Sequence, residues 1–99
     1  MTPDRVSGSC NRSDSRTARA IQLAPCRLEC AHNNAGITGG PWLTHEFPEH
    51  SWARILAVNL TGVWLCMKHE LAQMLAQGGG GAIVNTASVA GLVGLSSSA

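Results

Sequence analysis

Three short runs carry the side chains best suited to chemistry: Ala31-His32-Asn33-Asn34-Ala35-Gly36-Ile37, Val58-Asn59-Leu60-Thr61-Gly62 and Ile83-Val84-Asn85-Thr86-Ala87-Ser88. Ser88 directly follows an apolar run that reads as a strand. Its hydroxyl there can bond a substrate carbonyl or hydroxyl oxygen, or serve only as a turn serine. Asn59 sits among Leu56, Ala57, Val58 and Leu60. An amide in that setting is costly to leave unpaired. It either satisfies a local carbonyl or holds water or backbone near a reactive centre. The Asn33-Asn34-Ala35-Gly36 turn ends a strand, the edge at which open α/β sheets bind ligands. Its small residues let a flat molecule approach the backbone, and its amides can tie neighbouring strands. Taken alone it is an ordinary turn; followed by the other two runs it is a candidate site.

Other chemistries find less support. The chain contains no tyrosine. His32, His45, His50 and His69 form no spaced set, and nothing marks a nucleophile with its base and oxyanion hole. Cys26, Cys30 and His32 match no common zinc spacing, so no metal site is expected. The glycines Gly78 to Gly81 follow a helical run rather than precede one. Phosphate loops need the opposite polarity, so these glycines are read as a helix cap and turn.

The elements that must position these residues form a short series. Arg27 to Asn33 reads as a strand, and Ile37 to Phe47 as a loop punctuated by Gly39, Gly40 and Pro41. A helix is expected from Pro48 to Gln77. Trp52, Ile55, Leu56, Val63, Met67, Leu71, Met74 and Leu75 form its buried face at three-and-four spacing, and Gly62 weakens it midway. Trp52 and Trp64 are assigned to core packing. Ala82 to Thr86 reads as a second, compact strand, and Gly91 to Ala99 as a small, flexible end. Strand, helix, strand makes one βαβ unit of a parallel α/β sheet. Alone, such a unit leaves ladder edges and a sheet face open, so the isolated chain is expected to be marginally stable.

Residues 1–26 differ from the rest. Arg5, Arg12, Arg16 and Arg19 lie among Ser, Thr and Asp with no sustained period, and disorder is expected there. Asn11-Arg12-Ser13 and Asn59-Leu60-Thr61 fit the glycosylation sequon, but no secretory signal accompanies them. A net charge of +1 gives no electrostatic case for nucleic acid or a charged membrane surface. No apolar run is long enough to span a bilayer. Four cysteines, Cys10, Cys26, Cys30 and Cys66, are too few and too irregular for a disulfide framework. A reduced, cytoplasmic setting is therefore expected.

In order and spacing the three runs resemble the middle of a short-chain dehydrogenase/reductase, over about Arg27 to Ala99, with Arg27-Leu28-Glu29-Cys30-Ala31 as its lead-in strand. The resemblance implies a partial Rossmann-type, doubly wound parallel sheet. It implies hydride transfer between NAD or NADP and a small alcohol/ketone or aldehyde pair. Asn34, Ala35 and Gly36 would then line the adenosine side of the cofactor and brace the sheet. Asn59 would support a water and proton relay, and Ser88 would orient the substrate oxygen. The helix 48–77 resembles one that many family members use for dimer packing. Two family features are missing: the first strand with its glycine-rich cofactor loop, and the Tyr-x-x-x-Lys pair. That tyrosine would fall about thirteen residues after Ser88, by the family's motif spacing. The resemblance thus implies a fragment without catalysis of its own, or a non-catalytic remnant that joins a full-length relative through the helix.

Overall fold

The computed structural model describes residues 7–9 and 27–96. Three parallel strands form one sheet in the order β1 (Ser7–Ser9), β2 (Cys30–Asn33), β3 (Ala82–Asn85). The strands β2 and β3 are the pair expected from sequence, in the register Cys30↔Ala82 through Asn33↔Asn85. The strand β1 was not expected. It pairs with β2 from Ser7↔Cys30 to Ser9↔His32, so the sheet extends one strand beyond a single βαβ unit. Ser-Gly-Ser has neither β-propensity nor apolar alternation, and only long-range backbone pairing makes it a strand. The rest of residues 1–26, with the disorder expected there and the Asn11 sequon, lies outside the described residues.

The strand β2 starts later than its apolar pattern implied. Leu28 just before it has its backbone occupied by a side chain: Gln77 Oε1 accepts from Leu28 N–H at 3.0 Å, and Gln77 Nε2 donates to Leu28 O at 2.6 Å. The carboxamide thus takes the place of a strand neighbour. Ala82 N–H then donates to Glu29 O at 2.9 Å, where β3 begins.

Between β2 and β3 runs the expected helix, in three pieces: α1 (Glu49–Leu56), a π-helical segment Ala57–Gly62, and α2 (Val63–Gln77). Pro48 is its N-cap, in extended conformation, where a missing N–H costs nothing. The loop before it contains a 3-10 turn, Thr44–Glu46. There Phe47 and Ile55 press on Gly39 so closely that a Cβ would overlap them. The glycine run caps α2 as expected: Gly78, Gly79 and Gly80 all have positive φ, and Arg27 donates to the carbonyls of Gln77 and Gly78.

The buried side of the helix is not the one its apolar pattern suggested. Gly62, Cys66, Glu70 and Met74, each four residues apart, are buried. Of the expected face only Met74 is buried, and Trp52, Leu71 and Leu75 are exposed. Trp64, also assigned to core packing, is 57% exposed with the Lys68 ammonium 5.4 Å from its ring centroid. Trp52 is 56% exposed and meets Phe47 edge-on. Polar residues select the buried face: Glu70 and Gln77 both bond toward β2 and the residues leading into it. The core there is small, with Leu28, Ala31 and Met74 buried and Ile83 packed beside them. Val84 on β3 stays exposed, consistent with an uncovered sheet face.

Cys66 is disulfide-bonded, which the number and spacing of the cysteines did not indicate. Such a pair needs only two Cα atoms within about 7 Å, which cysteine spacing along the chain does not reveal. No helix among the described residues is long and apolar enough to cross a membrane.

Candidate functional site

The site lies at the C-terminal ends of β2 and β3, where the chain leaves parallel strands and backbone groups turn outward. From β2 it passes into Asn34, Ala35 and Gly36. Asn34 and Gly36 are exposed and Ala35 is half-buried, so the turn forms a low ledge of small residues. A Cβ on Gly36 would lie 3.7 Å from Asn59 Oδ1, an ordinary contact, so this glycine keeps the ledge low without being sterically required.

Asn59 faces that ledge from the helix. Its Oδ1 accepts from Ile37 N–H at 2.8 Å and its Nδ2 donates to Ile37 O at 2.9 Å. The carboxamide therefore clamps one backbone residue by both its polar groups. Of the alternatives open from sequence, the structure realises the bond to backbone. Asn59 lies within the π-helical segment Ala57–Gly62, a departure from α geometry of the kind that often marks functional positions. Val58, Thr61 and Gly62 are weak helix formers and favour a departure from α geometry there. Asn59 and the Asn34–Gly36 turn are thus brought together.

Ser88 leaves β3 on the neighbouring exit. It is exposed, and its Oγ accepts from Ala90 N–H at 3.2 Å, capping a 3-10 turn, Val89–Gly91. The hydroxyl hydrogen stays free to donate to another oxygen. Thr86 Oγ1, two residues earlier, lies 2.8 Å from His32 Nε2 on β2.

Beneath the two exits is a polar group that sequence reading found only in part. Asn33 Nδ2 donates both to Asn85 Oδ1 at 2.9 Å and to Glu70 Oε2 at 3.0 Å. Thr86 N–H donates to Asn33 O at 2.9 Å. Tying of strands by an amide was expected of the Asn33-Asn34 pair; Asn33 performs it and Asn34 faces outward. Asn33 and Glu70 are 3% and 1% exposed, so the bond between them forms in a dry setting, while that to the exposed Asn85 is half-buried. Asn33 Oδ1 is left without a partner. Flipping the amide would set that oxygen against two other oxygens, so one unpaired acceptor, at about 1–3 kcal/mol, is the smaller penalty. The signal for Asn85 was its position, last in its strand as Asn33 is in β2. For Glu70 it was the four-residue series with Cys66 and Met74. Among the described residues no three His, Cys, Asp or Glu side chains converge as metal ligands would.

Comparison with known proteins bears on what this edge does. A family model described as short chain dehydrogenase matches residues 11–99, beginning well before the Arg27 start read from motifs. The chain is 44% identical over 68 residues to (-)-trans-carveol dehydrogenase of Rhodococcus erythropolis, which covers 69% of this chain and 24% of that protein. To cyclohexanol dehydrogenase of an Acinetobacter species it is 50% identical over 68 residues, covering 69% of this chain and 27% of that one. Among solved structures, levodione reductase superposes with a TM-score of 0.77 at 33% identity, over 91% of this chain and 36% of that chain. The chain thus spans about a quarter of the curated relatives' length.

Proposed function

The chain belongs to the short-chain dehydrogenase family, and from that premise we propose that its strand exits form part of the site of an NAD(P)-dependent oxidoreductase interconverting a small alcohol and a ketone or aldehyde. The observation that carries the reading is the meeting of the Asn34–Gly36 ledge with Asn59 at the C-terminal edge of a parallel sheet. A low ledge of small residues fits one wall of a flat cofactor. In this reading Asn34, Ala35 and Gly36 line that wall. Asn59 holds the Ile37 backbone in place beside it, and Ser88 donates its free hydroxyl hydrogen to the substrate oxygen. The bound nicotinamide supplies or accepts the hydride. NAD and NADP are not distinguished by any of these residues. The relatives named for carveol and cyclohexanol suggest a cyclic secondary alcohol as the first probe.

The 99 residues contain no tyrosine, so the family's usual acid/base is not among them, and we propose that they do not complete the reaction by themselves. The test is nicotinamide-linked oxidation of cyclohexanol, followed by absorbance of the reduced nucleotide. No turnover is expected from the 99 residues. The same residues within a chain that supplies the acid/base should turn over. Ser88→Ala should then cut kcat about 10²–10³-fold, as for loss of one donor to a reacting oxygen. Turnover by the 99 residues, or a Ser88→Ala variant of undiminished rate, would refute the assignment.

A second reading, association with a full-length relative or a second copy through the helix, is favoured by the exposed apolar side chains Leu60, Trp64, Leu71 and Leu75. Light scattering on the purified chain, with and without an intact relative, tests it. A monomer under both conditions would rule it out.

A further inference from the structure

We infer that Glu70 is a positioning residue for this site, setting the helix, the β2 exit and the β3 exit in one arrangement. The inference rests on the reading of the strand exits given above. Glu70 is 1% exposed and sits between Cys66 and Met74 on the helix face against the sheet. A carboxyl group is expensive to bury there, where an apolar side chain would pack without penalty. What it provides is an acceptor aimed at one hydrogen of the Asn33 amide, 3.0 Å away. The other hydrogen of the same planar amide goes to Asn85 Oδ1 at 2.9 Å. With both hydrogens engaged the amide has one orientation, and Asn33 must stand opposite Asn85.

That pairing is the last rung of the β2–β3 ladder. A slip of one residue would turn either asparagine to the opposite sheet face and break both bonds. The residues after Asn33 are the Asn34–Gly36 ledge, and those after Asn85 lead to Ser88. Glu70 itself lies on the helix that continues back through the π segment to Asn59. One carboxylate therefore links the three elements that bear the candidate site residues, although it touches none of them.

The test is amide hydrogen exchange on the 99-residue chain at two rungs of the same strand pair. Thr86 N–H bonds Asn33 O beside the network, and Ala82 N–H bonds Glu29 O at the far end. In Glu70→Leu, Thr86 exchange should rise about tenfold, the loss of one hydrogen bond to a charged group, while Ala82 keeps its rate. Glu70→Gln, whose Oε1 can still accept from Asn33, should restore the Thr86 rate. A packing role alone would shift both rungs together, and an unchanged Thr86 rate in Glu70→Leu would also overturn the inference. If Glu70→Leu does not fold, Glu70→Met, which has the length of the Gln variant but lacks its acceptor oxygen, decides in its place. It should likewise accelerate Thr86 alone; equal change at both rungs, or none, overturns the inference. Neither readout involves nucleotide, so the outcome is independent of whether the oxidoreductase reading holds.

Discussion

Replacing Asn59 by Ala removes both bonds to Ile37, at 2.8 and 2.9 Å. Two neutral hydrogen bonds contribute about 1–3 kcal/mol net. Asn59 is exposed and Ile37 half-buried, so water partly re-satisfies the freed groups and the lower part of that range, about 1–2 kcal/mol, applies. Alanine is the better helix former by about 0.5 kcal/mol, which offsets part of the loss. The net destabilisation is then about 0.5–1.5 kcal/mol, or roughly 2–12 °C in Tm for a domain of this size. Asn59→Asp separates the bond from the helix term. It keeps an acceptor for Ile37 N–H but sets an oxygen against Ile37 O, so it should be no more stable than the alanine variant. Urea unfolding followed by circular dichroism gives the stability, and amide exchange at Ile37 locates the effect. An alanine variant as stable as the parent chain, with Ile37 exchange unchanged, would refute the clamp.

Substitutions at Met74, Leu75 and Gln77 test the contacts between the helix and the sheet. Met74→Ala opens a cavity beside Leu28, Ala31 and Ile83 and should cost about 2–5 kcal/mol in urea unfolding. Leu75→Ala, at a side chain 80% exposed, should stay within about 0.5 kcal/mol of the parent. Gln77→Ala frees the Leu28 backbone, which should cost about 1–2 kcal/mol and speed exchange at Leu28. Gln77→Glu, which sets a carboxylate oxygen against Leu28 O, should behave like Ala rather than like Gln.

Much of the local structure was legible because it depends on neighbours in the chain. The glycine cap follows from a need for positive φ at Gly78 to Gly80, which other residues adopt poorly. The order strand, helix, strand follows from two hydrophobic periods that differ enough to be told apart. The family followed from three motifs in order, since each is short, local and spaced by elements of regular length. The positions of the candidate residues were legible to the same extent: Asn34 to Gly36, Asn59 and Ser88 stand at the C-terminal edge of β2 and β3 or face it.

What sequence alone determined, then, was the order strand, helix, strand over residues 27–86 and the family. Tertiary structure decided which groups those residues meet. The helix carries apolar side chains on more than one face, and composition ranks none of them. The face against the sheet was selected by bonds across large separations, Glu70 to Asn33 and Gln77 to Leu28. Pairing of Ser7–Ser9 with β2 and the Asn59 clamp on Ile37 are likewise contacts between distant segments. Periodicity describes one segment against an unspecified interior. A hydrogen bond between segments exists only once both are placed, and so the partners of Asn33, Asn59 and Glu70 belong to the fold and not to the pattern.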